Sequence, residues 1–287
     1  MKVNHLYYKT KSEKKMHAAE VGHGEKLVFL IHGWSNNWES WQELIAADSD
    51  DEFTFIAIDL LGFGDSDRLD SYSISDLACF VTEFVDWYLL NNPAKKSSVY
   101  VGGMSLGSLV SAEIALNHPQ VVTGYVLLGP VFRCRKIMPP LYILEKFMLL
   151  CRRIRIFRLT FAYLIKARLI SYVLALFNSK NFDRNKVKKY GIRGKNLADS
   201  KAFVDLAIDI ARYDLARRID KLGNDIKMLL IVGENDRYLN VSHLREGRYI
   251  DFQKCNNVNL KIVKNSGHTI SYEKPTESML FLKQFVR

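Results

Sequence analysis

The stretch SVYVGGMSLGSLVSAEIALNH, residues 98–118, decides how the rest of the chain is read. Ser98 to Val101 is a short apolar run that predicts a buried strand. Leu106 to Asn117 repeats apolar residues at helical spacing until His118-Pro119 stops it. Between them stands Gly103-Met104-Ser105-Leu106-Gly107. A serine on a sharp strand-to-helix turn projects its hydroxyl from the end of the sheet. Glycines two residues before and after it remove side chains that would collide there. The following helix also turns its free N–H groups and positive end toward the serine. Gly103 and Gly107 are therefore expected to frame a nucleophile elbow with Ser105 at its tip.

Working outward, the same alternation recurs. Residues 2–21 read as two short strands joined by a polar turn at Lys9 to Glu13. Strands are predicted at Leu27 to Ile31, Phe53 to Ile58, Val122 to Leu128, Lys227 to Val232 and Asn259 to Val263. Helices are predicted at 38–47, Ser75 to Leu90, Val241 to Phe252 and Pro275 to Val286. Apolar strands alternating with amphipathic helices imply an α/β fold with a mostly parallel sheet covered by helices on both faces. The pattern breaks at residues 131–222, which are long, helical in period and without a clear strand. They are entered through Pro130 and Pro139-Pro140. The expected organisation is a sheet domain from residues 1–130 and 223–287 with an inserted helical cap at 131–222.

Charge sets that insertion apart. The net charge is +10, yet residues 131–222 hold 22 Lys and Arg against 7 Asp and Glu, leaving the remainder at −5. The four cysteines, Cys79, Cys134, Cys151 and Cys255, form no CxxC pair, and reduced, mostly buried thiols are expected. The amino-terminal MKVNHLYYKTKSEKK has no apolar leader core, and no run of 18 uncharged apolar residues occurs, so a cytoplasmic protein is expected. No recognised DNA- or RNA-binding motif accompanies the basic charge, so no nucleic-acid partner is expected.

A serine nucleophile needs a base, and in open parallel sheets functional groups follow the carboxyl ends of strands. Of seven histidines, His5, His17 and His23 lie in or near the amino-terminal hairpin, where solvent exposure is expected. His118 ends a helix and His243 falls in a surface helix. His32 and His268 follow strands. Only His268, in Asn265-Ser266-Gly267-His268, comes after the serine with room for an acid between. His32 is expected to organise its own turn. The acid is expected in Gly233-Glu234-Asn235-Asp236. Asp236 is preferred and Glu234 is the rival, with an Asx turn as the plain structural use of this segment. The N–H groups of Leu106 and Trp34 are the expected oxyanion donors. Trp34, Trp38 and Trp41 either wall an apolar pocket or pack the core.

These motifs, HGW at 32–34, DLLGFGDS at 59–66, GGMSLGS at 102–108, GEND at 233–236 and SGH at 266–268, resemble the α/β-hydrolase superfamily in its serine-nucleophile branch with a helical cap. The resemblance spans about residues 3 to 130 and 223 to 287. It implies attack by Ser105 on a carbonyl, with an acyl-enzyme and no metal or organic cofactor. Esterases, lipases, thioesterases, lactonases, C–C bond hydrolases and acyl transfer all remain open on this triad. Haloalkane dehalogenases and epoxide hydrolases, which use an aspartate where Ser105 stands, are disfavoured. A rival of another class is a membrane-associated binding protein with a vestigial triad. The Leu, Ile, Phe and Tyr density at 141–177 suggests an apolar, lipid-like ester. Basic residues interleaved with apolar ones at 146–168 suggest contact with an anionic membrane surface, against a merely solvated cap face.

Overall fold

The computed structural model describes residues 2–93, 98–119, 122–132, 140–181, 183–219, 226–248 and 257–287, with the backbone alone for 140–144. The strands are β1 (Asn4–Lys9), β2 (Lys15–Val21), β3 (Lys26–Ile31), β4 (Phe53–Asp59), β5 (Val99–Met104), β6 (Gly124–Leu128), β7 (Met228–Gly233) and β8 (Val258–Val263). They form one sheet in the order β1-β2-β4-β3-β5-β6-β7-β8. The β1–β2 and β2–β4 pairings are antiparallel, and the other five are parallel. The principal helices are α1 (Gln42–Ala46), α2 (Ile74–Asn91), α3 (Leu106–Asn117), α4 (Pro140–Arg153), α5 (Arg155–Lys166), α6 (Arg168–Asn178), α7 (Ser200–Arg212) and α8 (Pro275–Phe285).

Strand pleat divides the core into two layers, because alternate residues point to opposite faces. Leu27, Phe29 and Ile31 of β3 pack with α2 and α3, whereas Val28 and Leu30 pack with Trp41, Leu44 and Leu282 beneath α1 and α8. Helices therefore cover both faces, as the alternating pattern requires. Phe29 shows the energetics. It is fully buried and meets Phe84 and Tyr88 of α2 edge-to-face, so its truncation to alanine should cost ~3–5 kcal/mol. Trp38 and Trp41 are both buried in the second layer, which settles them as core residues.

Helix α2 starts where the sequence provides a cap. Ser73 accepts from the Asp76 N–H while its hydroxyl donates to the Asp76 carboxylate, so the serine and the acid three residues on hold each other. The helix after β7 is shorter than its periodicity suggested. It is helical over Val241–Arg245 and turns at Gly247, while 249–252 lie outside the described residues. Of the cysteines, Cys79 is exposed and Cys151 buried, both free. Cys134 and Cys255 lie outside the described residues. The expectation of mostly buried thiols thus fails at Cys79, which stands on the outward face of α2.

Between β6 and β7 the described residues are helical and contain no strand. Helices α4 and α7 enclose a small core of their own around Met148, Cys151, Val204 and Ile208. Arg212 to Glu145 at 2.7 Å and Arg152 to Asp205 at 3.2 Å link the two helices. The segment is then fastened to the sheet domain by polar contacts. Tyr72 and Ile74 donate backbone N–H groups to Asp205 and Asp209 of α7. Tyr213 donates to Glu113 of α3 at 2.8 Å, and Arg218 pairs with the same carboxylate. Arg193 reaches Glu39, and Lys186 reaches Glu43. Part of the insertion's positive excess thus meets acidic groups of the oppositely charged remainder.

Candidate active site

Ser105 sits at the carboxyl end of β5 with φ 55° and ψ −112°, a left-handed conformation that a residue with a side chain adopts only under constraint. The constraint is close packing of backbone. A Cβ at Gly103 would stand 2.1 Å from the Gly107 carbonyl, and one at Gly107 would stand 2.0 Å from the Ile31 oxygen. Strand, turn and helix approach more closely than any larger residue permits, so the motif's two glycines are explained by distance. The Ser105 N–H donates to Leu128 O of β6 at 3.0 Å, and the side chain is half-buried.

His268 follows β8 and is buried. Its Nδ1 lies 2.8 Å from Asp236 Oδ2, and the other carboxylate oxygen, Oδ1, accepts the Tyr238 N–H at 2.8 Å. Asp236 therefore makes the Asx turn and orients the histidine at once. With Nδ1–H given to the carboxylate, Nε2 carries the free lone pair. Glu234 does not reach the ring. It takes the Asn265 N–H at 3.4 Å and lies 3.9 Å from Arg245. The imidazole is further held by Tyr238, whose ring centroid is 4.6 Å away, and its backbone N–H donates to Asn178 O at the end of α6. Serine and histidine share one corner of the sheet. Leu128, which receives the Ser105 N–H, precedes Gly129, and a Cβ at Gly129 would stand 3.2 Å from His268 Nδ1.

The loop after β3 closes the opposite side. A Cβ at Gly33 would lie 3.5 Å from Ser105 Cβ, so Gly33-Trp34 borders the serine directly. No described residue accepts from the backbone N–H of Trp34 or of Leu106. The Trp34 ring turns away from the sheet toward α7, edge-to-face with Phe203, and its Nε1 donates to Phe203 O at 3.3 Å. The described residues thus gather at one end of the sheet a serine held at positive φ, an imidazole whose Nδ1 faces a carboxylate, and two backbone N–H groups with no acceptor among the described residues.

The profile of the alpha/beta hydrolase fold family matches residues 26–275. The chain belongs to the α/β-hydrolase family. Solved structures share its shape over nearly the whole length. The epoxide hydrolase CorEH superposes with TM-score 0.77 at 20% identity, covering 99% of this chain and 98% of its own. A membrane phospholipase A described as a bacterial virulence factor gives 0.75 at 20% identity, covering 99% and 86%. An esterase from Exiguobacterium antarcticum gives 0.72 at 17%, covering 98% of each chain. At such identities the likeness is one of fold.

In this α/β-hydrolase, two histidines outside the pair have structural duties. His32 is fully buried. Its Nδ1 meets its neighbour Gly33 O at 2.8 Å, and its Nε2 accepts the Leu60 N–H at 3.1 Å. Burial lowers its pKa against the opposing pull of Asp59, so the neutral ring ties the Gly33-Trp34 loop to the loop after β4. That is the turn-organising role expected of it. His17 corrects its expectation, because it is fully buried rather than solvated. Its Nδ1 meets Asp59 Oδ2 at 2.7 Å and its Nε2 meets His5 Nδ1 at 2.8 Å. Asp59 also accepts the N–H groups of Trp38 and Asp65, which gathers the DLLGFGDS loop, the strand β2 and the start of the Trp38 turn around one carboxylate. Tyr238, Asn178 and Gly129 had no distinguishing signal in the sequence, since each acts through contacts with His268 that only folding creates.

Proposed function

We propose that the protein is a serine hydrolase that cleaves a carboxylic ester with an apolar, lipid-like acyl or alcohol part. Ser105 Oγ attacks the carbonyl carbon as its proton passes to His268 Nε2. Asp236 holds the ring in the accepting tautomer and stabilises the imidazolium. The N–H groups of Trp34 and Leu106 receive the developing oxyanion. Collapse of the tetrahedral intermediate expels the alcohol, which takes the proton from His268. Water, deprotonated by the same nitrogen, then frees the acid from Ser105. The observation that carries this reading is the buried His268–Asp236 pair beside a serine held at positive φ.

An aspartate nucleophile is absent from the elbow, which argues against epoxide or haloalkane opening despite the shape shared with an epoxide hydrolase. A vestigial triad is disfavoured because the strained serine and the buried pair keep costs that a binding protein has no reason to retain. The helical insertion, 131–222, acts in this reading as the cap of the site, since the end of α6 and the helix α7 touch His268 and Trp34. The test is labelling by a fluorophosphonate together with a panel of esters, thioesters and lactones of graded chain length. Wild type should label and favour longer apolar esters. Ser105→Ala should not label and should lose turnover by on the order of 10⁴ or more. Near-normal turnover in Ser105→Ala, or efficiency that falls steadily from acetyl upward, refutes the mechanism or the apolar substrate respectively.

A further inference from the structure

We propose that the outward faces of α5 and α6 form a docking surface for an anionic lipid bilayer, which brings the site to its ester at the membrane. This rests on the ester-hydrolase reading and adds its partner. The observation is a pair of exposed apolar stripes that no described residue covers. On α5, Ile156, Leu159 and Tyr163 recur at spacings of three and four, and Ile156 and Tyr163 are 69% and 76% exposed. On α6, Leu169, Val173 and Leu176 recur at four and three, with Leu169 73% exposed. The opposite faces are packed, through Ala162 of α5 and Ser171 of α6. Residues at such spacings share one side of a helix, so each stripe is a continuous face. Apolar residues scattered singly over a surface need no cause. Two consecutive stripes on neighbouring helices do.

Geometry makes this an in-plane surface rather than a span. Among the described residues no single helix is long and apolar enough to cross a membrane; α5 and α6 reach that length and composition only as a pair, and they bend by 67° where they meet. At ~1.5 Å per residue each is roughly half the ~30 Å of a hydrocarbon core. Helices with one face packed on the protein and the other apolar, each too short to cross alone, are suited to lie in the headgroup boundary.

Charge selects the occupant. Several of the insertion's other cations are engaged within the fold: Arg152 with Asp205, Lys186 with Glu43, Arg193 with Glu39, Arg218 with Glu113. Arg153 and Arg155, at the α4–α5 junction, are exposed and pair with no described carboxylate, and the exposed Arg168 opens α6. Ile154 and Ala167 stand at the amino-terminal ends of α5 and α6 and give no side-chain cap, so free N–H groups add to the positive field there. A second copy seated on this face would set these cations against their own kind. An anionic lipid surface complements them.

The surface also connects to the chemistry. Helix α6 ends at Asn178, whose carbonyl takes the His268 N–H. Phe177 beside it meets Tyr238 edge-on, and the Tyr238 ring lies tilted against His268. The end of the surface thus lies beside the proposed catalytic histidine.

The test is co-sedimentation of the full chain with phosphatidylglycerol-containing vesicles and with phosphatidylcholine vesicles, at low and high salt. Hydrolysis of a water-soluble short ester is measured in parallel. Binding should need the anionic lipid and weaken as salt rises. Arg153→Gln, Arg155→Gln and Arg168→Gln should each weaken partitioning about fivefold, and together on the order of 100-fold. Ile156→Ser with Leu169→Ser should weaken it at both salt concentrations. All these variants should keep wild-type melting and soluble-ester activity, since the residues lie on solvated faces. Negligible sedimentation with both vesicles at low salt overturns the inference, and retained soluble-ester turnover leaves the hydrolase reading standing. Binding that survives all five substitutions overturns it too, as does a concentration-dependent dimer that Ile156→Ser dissolves.

Discussion

Replacing Asp236 by asparagine separates the orienting role of the carboxylate from its structural one. The side chain has two contacts, both at 2.8 Å: Oδ1 accepts the Tyr238 N–H, and Oδ2 faces His268 Nδ1. Asparagine keeps the first through its amide oxygen, so the Asx turn and the fold survive. The amide nitrogen then occupies the position of Oδ2 and donates, which forces His268 Nδ1 to accept and moves the ring proton to Nε2. A protonated Nε2 cannot take the Ser105 proton. The expected loss is ~10⁴ in kcat, equivalent to about 5 kcal/mol of barrier. Glu234→Gln is the control. Among the described residues that carboxylate meets only the Asn265 N–H at 3.4 Å and Arg245 at 3.9 Å, so turnover should change less than about twofold. The assay is kcat on the best ester of the panel, with circular dichroism melting to confirm that both variants fold. Asp236→Asn retaining more than about a tenth of wild-type turnover, or Glu234→Gln falling as far as Asp236→Asn, would refute the assignment.

Lys195 gives a pH-dependent prediction. It is 5% exposed, its only described side-chain contact is Ser171 Oγ at 3.4 Å, and burial pushes its pKa down to about 8 from 10.5. Between those values the unfolded chain binds more protons than the folded one, so this residue makes stability rise with pH, by about 2 kcal/mol from pH 7 to 9.5. Lys195→Met should remove that rise and be at least as stable as wild type at pH 7 in urea unfolding; an unchanged slope excludes the residue as its source. Gly107→Ala should destabilise by more than about 3 kcal/mol and abolish turnover, because its Cβ meets backbone oxygen at 2.0 Å. Gly191→Ala, whose Cβ would meet only Val187 Cγ1 at 3.9 Å, should be neutral or stabilise by up to about 1 kcal/mol in the same unfolding assay. Equal effects of the two would show that close approach is not why Gly107 is glycine.

Much of this protein is local and therefore legible in its sequence. The strand before Ser105, the two glycines around it and the helix after it lie within 21 consecutive residues, and the backbone adopts the turn that those residues alone permit. The strands were readable because a sheet buried on both faces demands short apolar runs, whereas their order in the sheet was set only by folding. The order of serine, acid and histidine along the chain narrowed seven histidines to His268. Tertiary structure alone decided the rest. Asp236 and Glu234 stand two residues apart in one loop, and only the 2.8 Å approach of a histidine 32 residues further on separates them. His17 looked solvated because its strand is at the edge of the sequence pattern, yet Asp59, 42 residues away, draws it into the interior. The apolar density of 141–177 reads as a roof for an apolar site, and only the folded chain shows that Ile156, Tyr163 and Leu169 within it face outward. Periodicity tells that a helix has two unlike faces. Which face is buried depends on what the rest of the chain brings against it, and that is settled only by packing.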